Sequence, residues 1–496
     1  MNDIFDFAKF SRQSSKGIIV NYFIILYKTL KSSWVLIPIL LTKDKTELNL
    51  TKILLIVLAI LIYILIRAVL VYLNFKFKIK DNAFILKQGI LNKSNISVPF
   101  EKIQHINFKQ NFIQQLINVT QVEIETAGAK TVEISIKALS REKAVALKKA
   151  LFLKMQEKDV VAVENNEPVK EILHKISLSK LFKVSISENH FKSLALLFAF
   201  IFSGYVQVKD FLETLELDEK FDRILEENAN SLIGDLFLML FLFVFSFIIS
   251  VIISFVTTFV RHFNLQVSLE NNTLEIVQGL ITKQNNIIKK QKVQSIEVLT
   301  NPIKQKLGIY NVIFRQAVSG KINYKKIIKV VGFNKEHINV LKDVFFINTN
   351  FTNEEKHKPD TYYKVQLFFR GFLFLVFLNF VLLLISYKLL FLNVIIVPLF
   401  VVLVLLKYEK SYYFFNKDML VIGAGQIATN TTYLEHFKLQ HIKMKQTFFQ
   451  KRKNVVNLVI QTASGKITLP CVKTRKALEM YNFMLYKSET STKKWM

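Results

Sequence analysis

Long runs of apolar residues constrain the fold of this chain more than any other feature. Three of them stand out, at residues 53–73, 232–260 and 365–406. A helix needs about 20 apolar residues to cross the roughly 30 Å hydrocarbon core of a bilayer, where every backbone polar group must bond within the segment. The first two runs are long enough for one span each, and the third is long enough for two, with a turn near Tyr387-Lys388.

Each of the first two runs has an apolar partner just upstream, so the spans are expected in pairs. Residues 191–207 form a good partner for the second run. Residues 19–41 are a weaker partner for the first, because Lys28 and Lys31 interrupt them and Lys31 would lie near the bilayer centre. A re-entrant or interfacial helix is the alternative for residues 19–41. The sequence therefore predicts about six transmembrane helices in three hairpins.

The charged residues beside these runs predict their orientation. The loop at 208–231 is acidic, whereas the segments at 76–160, 261–364 and 407–496 each carry an excess of Lys and Arg. Such an excess marks the cytoplasmic side of a membrane protein. We therefore expect these three segments and both termini in the cytoplasm of a multi-pass protein of the cell membrane.

A threefold internal repeat is the strongest signal beyond the apolar runs. When Gly89, Gly279 and Gly425 are superposed, the residues that follow align without a gap. A triplet of Lys, an aliphatic residue and Gln begins thirteen residues after each glycine, and an alanine follows 38 residues after it. The signature residues, which we interpret as structural, are Gly89, Gln104 and Ala127, then Gly279, Gln294 and Ala317, and then Gly425, Gln440 and Ala463.

Each repeat has the pattern of several short strands followed by one helix. Runs such as Val122-Glu123-Ile124-Glu125 alternate in period two, and Gly89 and Gly279 are expected in turns or bulges that a side chain would obstruct. Helical patterns close the repeats, with Ser140, Asn334 and Thr474 as the expected N-caps. A small open barrel plugged by its terminal helix would bury the apolar stripe of that helix.

The combination of a membrane hairpin, a strand-rich unit, the glycine, the Lys-x-Gln-x-Ile motif and the alanine turn resembles the bacterial membrane-flanked pleckstrin-homology-like (PH-like) domains. The resemblance covers nearly the whole chain, which is similar to members with three repeats. It implies an α+β membrane protein in which each hairpin precedes a PH-like split β-barrel with a capping C-terminal helix. The third repeat departs from the pattern, since polar residues follow Gly425 where Ile90-Leu91 and Leu280-Ile281 follow the other glycines.

These patterns divide the chain into membrane hairpins, PH-like domains and linkers. The predicted boundaries are 1–75 for the N-terminal segment and first hairpin, 76–160 for domain 1, 161–190 for a linker, 191–260 for the second hairpin with its acidic outer loop, 261–350 for domain 2, 351–364 for a linker, 365–406 for the third hairpin and 407–496 for domain 3.

Catalytic and metal-binding motifs give little support for an enzyme. The eight histidines show no tight metal-ligand spacing, and Cys471 is the only cysteine. No nucleophile elbow or phosphate-binding loop occurs. We expect a protein that is not an enzyme and has no catalytic residues, metal or cofactor.

The net charge of +29 points to an anionic partner. Nucleic acid is not expected, because aromatic stacking positions are not evident beside the basic residues. Anionic lipid headgroups fit better, since each Lys or Arg near a membrane surface contributes about 1 kcal/mol. The alternative is that the charge only sets topology and solubility. The candidate lipid contacts are Lys289, Lys290, Lys292, Lys325, Lys326, Lys451, Arg452 and Lys453.

Two classes of function fit these patterns. The favoured hypothesis is a membrane-anchored binding or scaffold protein, whose partners are membrane lipids and either a smaller single-repeat homologue of the family or further copies of the chain. The family resemblance implies a role in envelope protection. The alternative is a transporter or lipid-handling membrane protein, but Arg67 and Arg370 lie near helix ends and are interpreted as snorkelling anchors.

Overall fold

The computed structural model of the protein describes residues 5–33, 50–126, 134–156, 171–214, 219, 223, 236–270, 273–316, 327–346 and 356–491. Within them, five helical segments are long and apolar enough to cross a membrane. They lie in helices α2 (Leu50–Leu73), α6 (His190–Thr214), α7 (Leu236–His262) and α10 (Tyr362–Ile385), and in α11 (Asn393–Glu409) with the 3-10 turn Tyr387–Leu392 before it.

A sixth helix, α1 (Gly17–Ser33), covers the first part of the weakest predicted span. Residues 34–41 of that span lie outside the described residues, so a sixth crossing stays a prediction. Helix α1 packs against α2, α6 against α7, and α10 against α11. The α+β class and the membrane character are therefore confirmed, while six spans in three hairpins stay a prediction.

Three domains of the same design follow the helix pairs. Each consists of two three-stranded antiparallel meanders joined by a 3-10 turn, with a short helix inside the second meander and a long helix at the end. In domain 1 these elements are β2 (Lys76–Lys80), β3 (Ala83–Gln88), β4 (Ser94–Pro99), β5 (Ile103–Gln110), α3 (Phe112–Leu116), β6 (Val119–Thr126), β7 (Ile134–Ser140) and α4 (Arg141–Gln156).

Domains 2 and 3 repeat this order. Domain 2 contains β9 (Gln266–Glu270), β10 (Thr273–Gln278), β11 (Lys283–Lys289), β12 (Val293–Thr300), α8 (Pro302–Lys306), β13 (Tyr310–Gln316), β14 (Ile328–Phe333) and α9 (Lys335–Phe345). Domain 3 contains β15 (Tyr412–Phe415), β16 (Met419–Gly425), β17 (Thr429–Glu435), β18 (Leu439–Lys445), α12 (Phe448–Arg452), β19 (Val455–Thr462), β20 (Gly465–Lys473) and α13 (Thr474–Thr490).

The segment before each helix pair adds to the first meander of the domain that follows. Strand β1 (Ser11–Arg12) pairs with β2, and β8 (Glu171–Lys175), which precedes α5 (Leu178–Ile186), pairs with β9. An isolated bridge joins His357 to Tyr413 in domain 3. The residues interpreted as linkers thus contribute to the β structure of domains 2 and 3.

The domains are joined by strand pairing rather than by loops alone. Strand β5 of domain 1 pairs with β11 of domain 2, and β12 of domain 2 pairs with β17 of domain 3. The resulting sheet orders are β1-β2-β3-β4, β7-β6-β5-β11-β10-β9-β8, β14-β13-β12-β17-β16-β15 and β18-β19-β20. Because paired strands must share one solvent compartment, the three domains lie on the same side of the bilayer.

The hydrophobic cores also cross the domain boundaries. Ile287 of domain 2 belongs to the core of domain 1, and Tyr433 of domain 3 belongs to the core of domain 2. Burying a side chain of this size contributes about 1.5–3 kcal/mol. Each junction is therefore stabilised by apolar contact as well as by the shared sheet.

The helix starts agree in part with the predicted caps. Ser140 accepts a hydrogen bond from the Lys143 amide (3.4 Å), as an N-cap does. Asn334 immediately precedes α9, but its side chain accepts from Lys180 and His337 instead of capping. Thr474 as a cap is wrong, because Lys473 occupies the N-cap position and Thr474 is already the first helical residue.

Candidate functional site

The hairpin turn that carries the repeat glycine lies at the membrane end of each domain. In domain 2 the Leu280 amide donates to the Val260 carbonyl near the end of α7 (2.9 Å). In domain 3 the Lys410 ammonium, just past α11, donates to the Ile427 carbonyl. The turns expose Leu91, Ile281 and Ile427. Apolar side chains in this position fit the boundary between headgroups and acyl chains.

Only glycine fits at these turns. Gly89, Gly279 and Gly425 have φ angles of 111°, 109° and 137°, a region that L side chains rarely adopt. A Cβ atom on any of them would lie 2.0 Å from the carbonyl oxygen of the third residue along the chain. The prediction that a side chain would obstruct the turns at Gly89 and Gly279 is confirmed, and the same holds at Gly425.

Helices α3, α8 and α12 lie close to the turns and to the start of the membrane helices. Asn111, Asn301 and Thr447 cap them through the amide of the third helical residue. Near α8, the Asn301 side chain donates to the carbonyl of Ser187, shortly before α6 (2.7 Å). These helices expose Phe112, Ile303, Phe448 and Phe449, which extends the apolar membrane-facing surface of the domains.

A cavity of about 700 Å³ lies between the first helix pair and domain 1. Arg67 of α2 and Lys137 of β7 supply its positive charges, and Gly89 belongs to its wall. Burial, and then the nearby charge of Lys28, lower the pKa of Lys137, since both disfavour its charged form. An anion in this cavity would offset the free-energy cost of keeping Lys137 charged.

Two buried amide side chains also line this cavity. Gln13 and Asn21 are 4% and 1% exposed. The Gln13 Oε1 atom and both polar atoms of the Asn21 amide have no hydrogen-bond partner among the described residues. Leaving a buried polar group unsatisfied costs about 1–3 kcal/mol. The cavity is therefore chemically suited to a ligand that carries both negative charge and hydrogen-bonding groups. We name it the domain 1 cavity.

A second cavity, of about 350 Å³, lies at the corresponding place in domain 3. Arg370 of α10 and Lys407 of α11 provide its positive charges, and Gln366 and the Gly425 turn contribute to its walls. Small-ligand pockets span roughly 300–1,000 Å³, so this cavity lies at the small end of that range. Two of the three domains thus place paired cations beside the membrane.

Known proteins share this architecture. The family described as Bacterial PH domain matches the chain three times, over residues 25–155, 231–343 and 371–488. The chain belongs to the bacterial PH domain family. The transmembrane protein YdbT of Bacillus subtilis (strain 168) is 23% identical over 405 residues, which cover 79% of this chain and 80% of YdbT. The family and the three-repeat YdbT type expected from the sequence are confirmed.

The second bacterial PH domain has an ion-pair network at its junction with the membrane helices. Glu188, just before α6, accepts hydrogen bonds from Lys304 (2.8 Å), Lys329 (3.1 Å) and Asn311 (3.3 Å). Burial alone raises the pKa of Glu188, but the ammonium groups of Lys329 and Lys304 outweigh it and lower the pKa to about 2. This carboxylate therefore fixes α8, β13 and β14 of the second PH domain to the start of α6.

The signature glutamines of the three bacterial PH domains lie at one recurring irregularity of the sheet. The register shifts between Ile103 and His105, and it shifts at the same place beside Gln294 and Gln440. Gln294 is buried and Gln440 is exposed, while the side chain of Gln104 lies outside the described part. Ala463 lies in the turn between β19 and β20, and Ala127 and Ala317 lie outside the described residues. The structural role of the signature glutamines and alanines stays a prediction.

The candidate lipid contacts fall into two groups in the bacterial PH domains. Lys451, Arg452 and Lys453 are exposed at the end of α12 or just past it, and the Arg452 guanidinium lies 4.7 Å from the ring centre of Phe448. They share the membrane-facing surface with the exposed Phe448. An aromatic ring beside several basic groups is an arrangement that suits a membrane interface.

The remaining candidates lie elsewhere. Strand β11 begins near the Gly279 turn and rises about 3.3 Å per residue, so Lys289 lies roughly 20 Å beyond the turn. Lys290 and Lys292 belong to the 3-10 turn that follows β11. Burial lowers the pKa of Lys290. Lys325 and Lys326 lie outside the described residues. The structure does not bring these lysines together with Lys451.

The most polar part of the site was not predicted from the sequence. Gln13, Asn21 and Lys137 come from three separate segments, and only Arg67 had been singled out, as a snorkelling anchor. One signal was available, because Asn21 is a polar residue within the otherwise apolar start of α1. Periodicity alone does not show that this amide lacks a partner.

Proposed function

We propose that the protein is a membrane-anchored bacterial PH-domain scaffold that binds anionic lipid headgroups at the cytoplasmic surface of the cell membrane. The observation that carries the proposal is the domain 1 cavity, in which two cationic side chains and unsatisfied buried amide groups meet beside a membrane helix. A lipid phosphate supplies the negative charge, and its glycerol or headgroup oxygens supply the hydrogen-bond partners.

The three-domain row supports the scaffold part of this proposal. Strand pairing and shared cores fix the domains to one another, and the helix pairs fix them to the membrane. Such a row offers an extended surface whose parts keep constant spacing. The excess of Lys and Arg beside the spans supports a cytoplasmic location for it.

A non-catalytic role is also part of the proposal. Among the described residues no group of three His, Cys, Asp or Glu side chains could hold a metal. His174 is buried, its Nε2 contacts the Val331 carbonyl (3.1 Å), and its ring stacks on Phe333. His436 similarly contacts the Asn416 carbonyl (2.8 Å). Burial lowers the pKa of both rings. Neutral packed imidazoles suit a structural role.

Lipid retention tests the proposal. The full chain is placed in nanodiscs of phosphatidylcholine and phosphatidylglycerol, and the lipids that remain bound are counted by native mass spectrometry. We expect the wild type to retain phosphatidylglycerol and the double variant Arg67→Gln/Lys137→Gln to retain it roughly thirtyfold less strongly, since each charge contributes about 1 kcal/mol. Arg141→Gln, an exposed position outside the cavity, is the matched control. Equal retention by wild type and double variant would refute the proposal.

Envelope protection is the physiological role that we propose for this scaffold. A bacterial strain that lacks the protein should become sensitive to membrane-active agents, and wild-type protein should restore resistance. The variant with both cavity charges removed should restore it less well than Arg141→Gln. Full rescue by the cavity variant would separate protection from lipid binding.

A further inference from the structure

The two internal domain junctions have the same strand register. In the first, Ile106 of β5 faces Ile287 of β11, and in the second, Ile296 of β12 faces Tyr433 of β17. Counted from the repeat glycines, position 17 of one domain faces position 8 of the next in both cases. The whole ladder from position 16 to position 21 follows this rule. The same strand pairing therefore joins each domain to the next.

Both strands that form a junction are also present at the two ends of the row, where each is an edge strand among the described residues. Within the described part of the chain, β18 of domain 3 pairs with β19 alone, and β4 of domain 1 pairs with β3 alone. Strand β18 corresponds to β5 and β12, and β4 corresponds to β11 and β17. Unpaired edge strands offer backbone amides and carbonyls to another strand.

We propose that copies of the chain associate head to tail, with β18 of one copy pairing antiparallel with β4 of the next in the register of the internal junctions. This inference rests on the proposed scaffold function and names its partner as a second copy of the same chain. The register assigns five facing pairs. They are Val98 with His441, Ser97 with Ile442, Ile96 with Lys443, Asn95 with Met444, and Ser94 with Lys445.

The membrane supports this arrangement. The pairing that joins domain 1 to domain 2, and domain 2 to domain 3, keeps the three domains on one side of the bilayer. The same pairing continued from domain 3 therefore places the next copy on that side as well. A contact between different surfaces of two copies is heterologous, so it continues into a row or closes into a ring.

The junction between copies should be weaker than the internal ones. Ile287 and Tyr433 bury apolar side chains in the preceding domain, and Tyr433 lies 6.0 Å from the ring of Phe346. Ser97, at the same position of β4, is small and exposed. Exposed Lys443 is a residue type that also discourages unwanted edge pairing. The contact should thus form only where the membrane concentrates the protein and should be reversible.

Disulfide cross-linking in native membranes tests the register. Directly facing residues of antiparallel strands have Cα atoms about 4.5–5.5 Å apart, within the range of a disulfide. The full chain carrying Ile96→Cys and Lys443→Cys should form a ladder of dimers, trimers and larger species on mild oxidation. The native Cys471 is buried and is present in every variant.

Matched variants separate this register from other contacts. Ile96→Cys with Lys445→Cys shifts the pair by two residues and should cross-link at least tenfold less. Lys443→Cys alone should give no ladder, because the head-to-tail pairing never brings two copies of residue 443 together. The inference is overturned if the matched pair stays monomeric, if the shifted pair cross-links equally, or if the single variant forms dimers as efficiently.

A charge exchange provides an independent test. With Ser94→Cys and Lys445→Cys as the reporter pair, Ile96→Lys should abolish the ladder, since like charges facing each other oppose pairing. Adding Lys443→Glu should restore it, and failure of that rescue would contradict the assigned register. Phosphatidylglycerol retention is measured on the same samples. Absence of the ladder with normal lipid retention refutes the head-to-tail contact and leaves the lipid-binding proposal intact.

Discussion

The ion pair between Glu188 and Lys304 allows the most quantitative prediction. The Lys304 side chain is 4% exposed, and that of Glu188 is 17% exposed. Replacing Glu188 by Gln removes the negative charge and leaves a buried ammonium facing a neutral amide. Burial already lowers the pKa of Lys304, so its charged form depends on Glu188. We expect Glu188→Gln to destabilise the second bacterial PH domain.

The expected magnitude follows from the pKa of Glu188. A pKa lowered from 4.5 to about 2 corresponds to about 3 kcal/mol, because each pKa unit is worth about 1.4 kcal/mol. The folded pKa lies below the unfolded one, so this stability is present above about pH 4.5 and is lost as the pH falls towards 2. The Glu188→Gln variant should lack this stability at neutral pH. Its free energy of unfolding should also depend less on pH between about 4.5 and 2.

Amide hydrogen exchange of the full chain in detergent measures this loss locally. Strands β13 and β14 carry Asn311 and Lys329, which contact Glu188 directly. Where exchange reports the opening equilibrium, a loss of about 3 kcal/mol speeds exchange of these strands roughly hundredfold. Domain 3, which pairs with domain 2 through β17 and β12, should change much less.

A double variant decides whether the charge pair is responsible. The position of Lys304 is occupied by Gln114 in domain 1 and by Gln450 in domain 3, so glutamine fits this site. Glu188→Gln/Lys304→Gln should recover to within about 1 kcal/mol of wild type, because the buried ammonium of Lys304 is removed and the Lys329 side chain, which is 36% exposed, reaches water. Unchanged exchange in the single variant, or a double variant that is worse than it, would refute the reasoning.

Two further changes give local tests by the same exchange measurement. Gly279→Ala should destabilise the β10–β11 turn by about 2 kcal/mol or more, since the φ angle is 109° and the new Cβ would clash with a backbone oxygen at 2.0 Å. Gly204→Ala, with no heavy atom within 4 Å of the new Cβ, should cost nothing, and equal losses would contradict the strain argument. Lys148→Met removes a 2.5 Å ion pair to the buried Glu275 across the first domain junction, so it should lower the opening free energy of β10 by about 1–3 kcal/mol and speed its exchange accordingly. The exposed neighbour Lys149→Met should leave it unchanged, and a similar effect of both would exclude the ion pair as the cause.

The sequence by itself determined the membrane helices, the three repeats and the turn glycines. These features depend on local properties, because lipid requires unbroken apolar helices and the φ angles of 111°, 109° and 137° at the repeat turns require glycine. The capping residue Asn301 and the positive-φ residue Gly308 follow Gly279 in domain 2. Residues with the same two roles follow the repeat glycine at the same two spacings in the other domains. Local encoding of this kind can be read without knowing which strands are neighbours.

Tertiary structure alone decided how the units join and where the candidate ligand site lies. Strands β5 and β11 alternate apolar and polar residues in the same way whether each pairs within its own domain or across a domain boundary. The two-residue periodicity of the sequence therefore cannot reveal which strands form the junctions. The domain 1 cavity needs Asn21, Arg67 and Lys137, which are distant in sequence and meet only when α1, α2 and β7 pack together. Burial and missing partners, which give these residues their chemical meaning, exist only in the folded chain.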